Sequence, residues 1–143
     1  MRNRRSETGT ALIEAAITLP LLLLMSVGVF EFGRAYQTWQ VITNAAREGA
    51  RIAVLPSATP GAVQQRVRDY MHDGQLSRWS DAGVTLTATT ITVNGAPVSA
   101  SLVTVNYPFT FMVLQPVARL VAGPSTTLGS ALPMSAQALM RNE

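Results

Sequence analysis

The sequence predicts an α+β chain: one long N-terminal transmembrane helix that continues as the spine of a small domain, with a second helix and an antiparallel sheet. Three observations predict it. No residue from Ala15 to Phe30 is charged. No helix breaker separates Gly33 from Leu55, and apolar residues recur there at three- and four-residue steps. From Val84 onward the pattern changes to Thr- and Val-rich alternation with an Asn94-Gly95 turn signal.

The apolar run is bounded by Glu14 and Glu31. From Thr10 to Phe30 it has about the ~20 residues that span a ~30 Å hydrocarbon core. Arg2, Arg4 and Arg5 precede it, whereas Glu31-Phe32-Gly33-Arg34 follows it and is close to neutral. The positive-inside bias then holds the N-terminus in the cytoplasm and sends the remainder across the inner membrane. Residues 1–9 form a basic leader, 10–33 the membrane helix and 34–143 the external domain. A cleaved secretory signal is the competing reading, but Val29 to Arg34 offers no small-x-small cleavage site. Pro20 removes a helix hydrogen bond and allows a kink. Glu14 stands one turn inside the apolar segment, with no Arg in the next four residues. Its charge calls for a partner from the upstream arginines, a free amine or another chain, unless it stays wet at the interface edge.

After the membrane, Tyr36, Trp39, Ile42, Ala46, Gly49 and Ala53 form the helical stripe. One helix over 10–54 would be roughly 68 Å long at ~1.5 Å per residue. Ala45, Gly49 and Ala53 make a small-xxx-small face suited to close helix approach, unless the domain's own sheet or second helix covers it. Tyr36 and Trp39 suit either the headgroup level or the core. Pro56 to Gly61 stops the spine. Thr59 caps a second helix, about 60–73, with Pro60 in its first turn. The sheet is expected over about 84–140. A phase slip at Thr89-Thr90 predicts a bulge or break. Leu102 to Tyr107 is a second strand that Pro108 ends or places at an edge. Phe111 to Val121 forms a short helix or loop, and Ser125 to Met140 one or two further strands.

Composition narrows the function classes. All eleven basic residues are arginine, and beyond the N-terminus they do not cluster, so a nucleic-acid surface is not expected. There is no cysteine, hence no disulfide or thiol chemistry. No Gly-x-Ser-x-Gly elbow, phosphate loop or His/Cys/acid cluster is present. Asp69 and Asp73 share a helix face near Arg66 and Arg68, a solvated arrangement. His72, the sole histidine, suits a surface position. No enzyme, metal or cofactor is expected.

Gly9-Thr10-Ala11-Leu12-Ile13-Glu14 resembles a type IV prepilin processing site, with a short basic leader, a Gly, four uncharged residues and a Glu. The resemblance implies a prepilin peptidase cutting between Gly9 and Thr10. The new amine would pair with Glu14 of an adjacent subunit. Glu14-Ala15-Ala16, Leu19-Pro20-Leu21, Phe30 to Arg34 and Asn44 to Arg51 are similar to the TadE-like family of the tight-adherence (Tad, or Flp) pilus system. Ala138 to Glu143 resembles that family's closing strand. The family usually has an aromatic after the Glu, where Ala15 stands here. The resemblance implies a type IV pilin-like fold and a non-enzymatic minor pilin-like subunit. Its partners would be other pilin-like subunits, the pilus assembly machinery and the membrane. The alternative is an uncleaved single-pass protein whose external domain binds or scaffolds a partner outside any filament.

Overall fold

The computed structural model describes residues 4–122 and 130–142. Helix α1 runs over Arg4–Ala53 and α2 over Pro60–Asp73, followed by a single 3₁₀ turn at Trp79–Asp81. Strands β1 (Gly83–Val93) and β2 (Ala96–Phe109), helix α3 (Leu114–Ala122) and strand β3 (Leu132–Arg141) complete the chain. The fold is α+β, with a three-stranded antiparallel sheet in the order β1-β2-β3. Phe111 to Val121, open between helix and loop in the sequence, forms a short helix from Leu114 that runs one residue further, to Ala122. Pro116 is tolerated in its first turn, where backbone N–H groups have no intrahelical acceptor. The 125–140 stretch contributes β3; residues 123–129 lie outside the described residues.

The chain divides into two compact units. The first takes α1 up to Arg34 together with the α3 segment from Phe111. The second takes Ala35–Thr110 and the chain from Ser130.

In the first unit the stretch of α1 from Ala15 to Phe30 carries no charged residue on any side. Leu12, Ile17, Leu21, Leu24, Met25 and Val29 are all exposed, whereas Val27 is half-buried. A helix that is apolar all round needs apolar surroundings, and α1 is long and apolar enough to cross a membrane. Pro20 lies inside the helix without ending it. The Ser26 hydroxyl donates to the Leu22 carbonyl at 2.9 Å, so this polar group is satisfied within the helix.

In the second unit the C-terminal half of α1 and α2 cover one face of the sheet. Ala35, Ile42, Ala45, Ala46 and Ala50 of α1 are buried, as are Val63, Val67 and Met71 of α2 and Val103, Val105, Tyr107 and Phe109 of β2. The expected stripe is rotated at its start. Tyr36 and Trp39 are exposed, and Ala35 and Thr38 take the inward positions. Three- and four-residue steps back from Ile42 reach Trp39 and Thr38 equally well. The smaller Ala35 and Thr38 take the covered side, leaving the aromatic pair outside with rings 6.2 Å apart.

Helix α2 matches its expected bounds. Thr59 is the N-cap, its hydroxyl accepting from Ala62 N–H at 3.2 Å, and Pro60 occupies the first turn. Its C-terminus departs from the usual glycine arrangement. Leu76 N–H donates to Met71 O and Gln75 N–H to His72 O, a Schellman pattern in which Gln75 holds the left-handed position at φ 58°. Gly74, one residue earlier, has an ordinary φ. It is needed for proximity, since a Cβ there would stand 2.6 Å from Val41 Cγ1.

The β1–β2 hairpin turns at Asn94-Gly95, both with positive φ (51° and 81°), as a two-residue primed turn demands. The predicted bulge at Thr89-Thr90 is absent, and the ladder runs unbroken from Gly83↔Asn106 to Val93↔Ala96. The phase slip has another cause. Val84 and Leu86 face the helices, whereas Ile91 and Val93 are half-buried on the opposite face. The apolar residues change face along an unbroken strand.

Pro108 is inside β2, the central strand. The bond from Asn142 N–H to Ser99 O makes odd-numbered β2 residues donate toward β3 and even-numbered ones toward β1. Position 108 thus points toward β1, which has already ended at Gly83↔Asn106. Position 97 points toward β3, which ends at Ala100↔Arg141. Both prolines sit where the ladder has no acceptor to offer, so neither costs a hydrogen bond.

Candidate functional site

The first candidate region is the beginning of α1. Gly9, Thr10 and Glu14 are all in the helix and all exposed. Thr10 and Glu14 are one turn apart on one face. A Cβ at Gly9 would meet nothing within 4 Å, so neither packing nor positive φ calls for a glycine there. Arg4 and Arg5 lie in the first turn of α1, and Arg2 falls outside the described residues. Among the described residues, no group of three or more His, Cys, Asp or Glu is placed to hold a metal.

The second region is at the other end of the apolar run. Glu31 has 0% exposure although it carries a carboxylate. Its Oε2 pairs with Arg34 Nη1 at 3.0 Å, and its Oε1 accepts from the backbone N–H of Val113 at 2.6 Å. Val113 precedes α3, and its carbonyl accepts from Val117 N–H at 3.1 Å. Glu31 therefore holds the backbone at the start of α3, where a negative charge also complements the helix dipole. Beside it, Phe32 meets Phe111 edge to face, with centroids 6.1 Å apart. The carboxylate and the ring pair fasten the α3 segment to α1.

Residues 9–51 match the TadE-like protein family. The match agrees with the resemblance carried by the sequence motifs, and it ends before α2. No curated protein and no solved structure matches the chain.

The TadE-like stretch takes in Gly9, Thr10, Glu14, Glu31 and Arg34, along with most of the C-terminal half of α1. Sequence reasoning used Glu31 as the boundary of the apolar run, as part of its near-neutral flank and within the Phe30 to Arg34 motif, but gave it no structural partner. The available signal was Glu31 flanked by Phe30 and Phe32, with Arg34 at i+3. Of the small-residue face, Ala45 and Gly49 are buried and Ala53 is half-buried. α2 and β2 of the same unit cover it: a Cβ on Gly49 would overlap Val67 Cγ2 and approach Val103 Cγ1 to 3.3 Å. His72 is exposed at the end of α2, edge-on to Trp79 at 5.4 Å. Asp69 accepts from Gln65 at 2.7 Å on an exposed surface. Arg66, nearby, is engaged instead with Glu48 at 2.9 Å.

Proposed function

We propose that the protein is a non-enzymatic, single-pass minor pilin-like subunit that supports assembly of Tad (Flp) adherence pili. Its N-terminus is cytoplasmic and the second unit lies outside the inner membrane. The observation that carries this reading is the division of α1. The uncharged run from Ala15 to Phe30 is largely exposed, and the second half buries one side, Ala35 to Ala50, in the second unit. The exposed run needs lipid before assembly and the helices of other subunits after it. The TadE-like match over the same helix supports the assignment, as do the arginines ahead of the apolar run.

In this reading a prepilin peptidase cuts between Gly9 and Thr10. The exposed Gly9 offers no packing that would resist the peptidase. Glu14 then receives the new amine of a neighbouring subunit, which offsets the cost of a carboxylate among apolar helices. Intact-mass measurement of the protein extracted from its native membrane tests this step, and the expected species begins at Thr10. A species still carrying residues 1–9 favours the second reading, an uncleaved anchor whose external domain binds or scaffolds a partner. Ala15, in place of the aromatic that usually follows the Glu, is the feature that favours that reading.

A further inference from the structure

We infer that α3 is a second membrane contact, an amphipathic helix seated in the lipid interface beside the outer end of the membrane-spanning helix. The inference rests on the reading of α1 as a membrane span.

Helix α3 exposes Val117 and Leu120, and Val113 just before it continues the same apolar side at i−4 from Val117; Leu120 is 87% exposed. Leu114, Gln115 and Ala118 on the other side are half-covered. Such a face needs an apolar occupant, and the position of α3 supplies one. Thr10 to Glu31 spans roughly 32 Å at ~1.5 Å per residue, close to the ~30 Å hydrocarbon thickness. Glu31 thus marks the far boundary of the bilayer. The start of α3 is bound to that residue through Val113 N–H, and Phe111 packs on Phe32 one residue along. The start of α3 is therefore tethered at the end of the apolar run of α1, at the depth where amphipathic helices lie. The occupant is the acyl–headgroup boundary of the lipid. Glu31 is suited to this place: a carboxylate at the edge of hydrocarbon is tolerated when fully paired, and its pairing here is what holds the second contact.

The natural chain has no cysteine, so single substitutions give unique labelling sites. Full-length Leu120→Cys, Val117→Cys, Leu22→Cys and Thr87→Cys proteins would carry an environment-sensitive fluorophore. They would be reconstituted in phosphatidylcholine–phosphatidylglycerol vesicles with or without spin-labelled lipid. The expected result is blue-shifted emission at positions 120 and 117, quenched roughly twofold or more by shallow spin labels, as for a helix about 5–10 Å into the interface. Position 22 is quenched by deep labels, and position 87 on the sheet is not quenched. Quenching at 22 with water-like emission at 120 and 117 overturns the inference and leaves the anchor standing. Blue-shifted but unquenched emission at 120 and 117 also overturns it, because protein then covers α3. Absence of quenching at 22 removes the anchor and the inference together.

Discussion

Replacing Glu31 with Ala is expected to detach the α3 segment from α1. Glu31 is completely buried, yet both carboxylate oxygens are engaged, one by the Arg34 guanidinium and one by Val113 N–H. Hydrogen bonds to a charged group contribute about 1.5–3 kcal/mol each. Their loss is partly offset because Arg34, 30% exposed, can rehydrate. The expected net cost is about 2–4 kcal/mol for the local unit, with a cavity left beside the Phe32–Phe111 contact. Glu31→Gln keeps the shape and one acceptor oxygen but not the charge, and should cost about 1–2 kcal/mol. Arg34→Met is expected to be at least as harmful as Glu31→Ala, since it leaves a buried carboxylate without this cation. Amide hydrogen exchange of the full-length protein in detergent reads these effects directly. Protection of Val113 and the following turn should fall in the order wild type, Glu31→Gln, Glu31→Ala. Unchanged protection in Glu31→Ala would mean that the carboxylate does not hold the segment.

The second large effect is expected at Gly49, where the usual rule for helix glycines reverses. Gly to Ala in the middle of a helix ordinarily stabilises by up to about 1 kcal/mol. At Gly33, where a Cβ would meet nothing within 4 Å, that gain is expected. At Gly49 the added Cβ would overlap Val67 Cγ2 of α2 and press on Val103 Cγ1 of β2. Both neighbours are β-branched and fully buried, so neither moves aside without disturbing the core. Gly49→Ala should therefore destabilise by about 1–3 kcal/mol, the usual range for overpacking, and Gly49→Leu by more. Denaturant unfolding of the full chain, followed by the fluorescence of Trp79 and Trp39, compares the two alanine variants. If both shift stability in the same direction, α1 does not pack on α2 and β2 as closely as described.

These two positions also show what the sequence could and could not reveal. The membrane-length helix, its extension to about residue 54, the cap at Thr59 and the hairpin at Asn94-Gly95 all follow from local chemistry that acts within a few residues. The family match over 9–51 lies in the same locally patterned region. Non-local facts were not available. The spacing of Ala45, Gly49 and Ala53 indicates a face made for close approach, but only the fold identifies Val67 and Val103 as its occupants. Three- and four-residue periodicity could not decide between Trp39 and Thr38 as the inward residue. A phase change in β1 resembles a bulge until the partner strand shows an unbroken register. Glu31 was hidden for a similar reason. Its cation is three residues away and legible, but its backbone partner Val113 is 82 residues along the chain. Gly9 and Glu14 remain readable only as a motif, because both stand exposed on a helix surface with no packing to explain their identity.

Glu14 provides the most direct test of the assembly role. In a strain lacking this chain, surface pili counted by electron microscopy should be lost. The wild-type protein should restore them, and Glu14→Ala, expressed in the membrane at the same level, should not. Normal piliation without the chain, or full restoration by Glu14→Ala together with an intact residue 1–9 leader, would contradict the proposal.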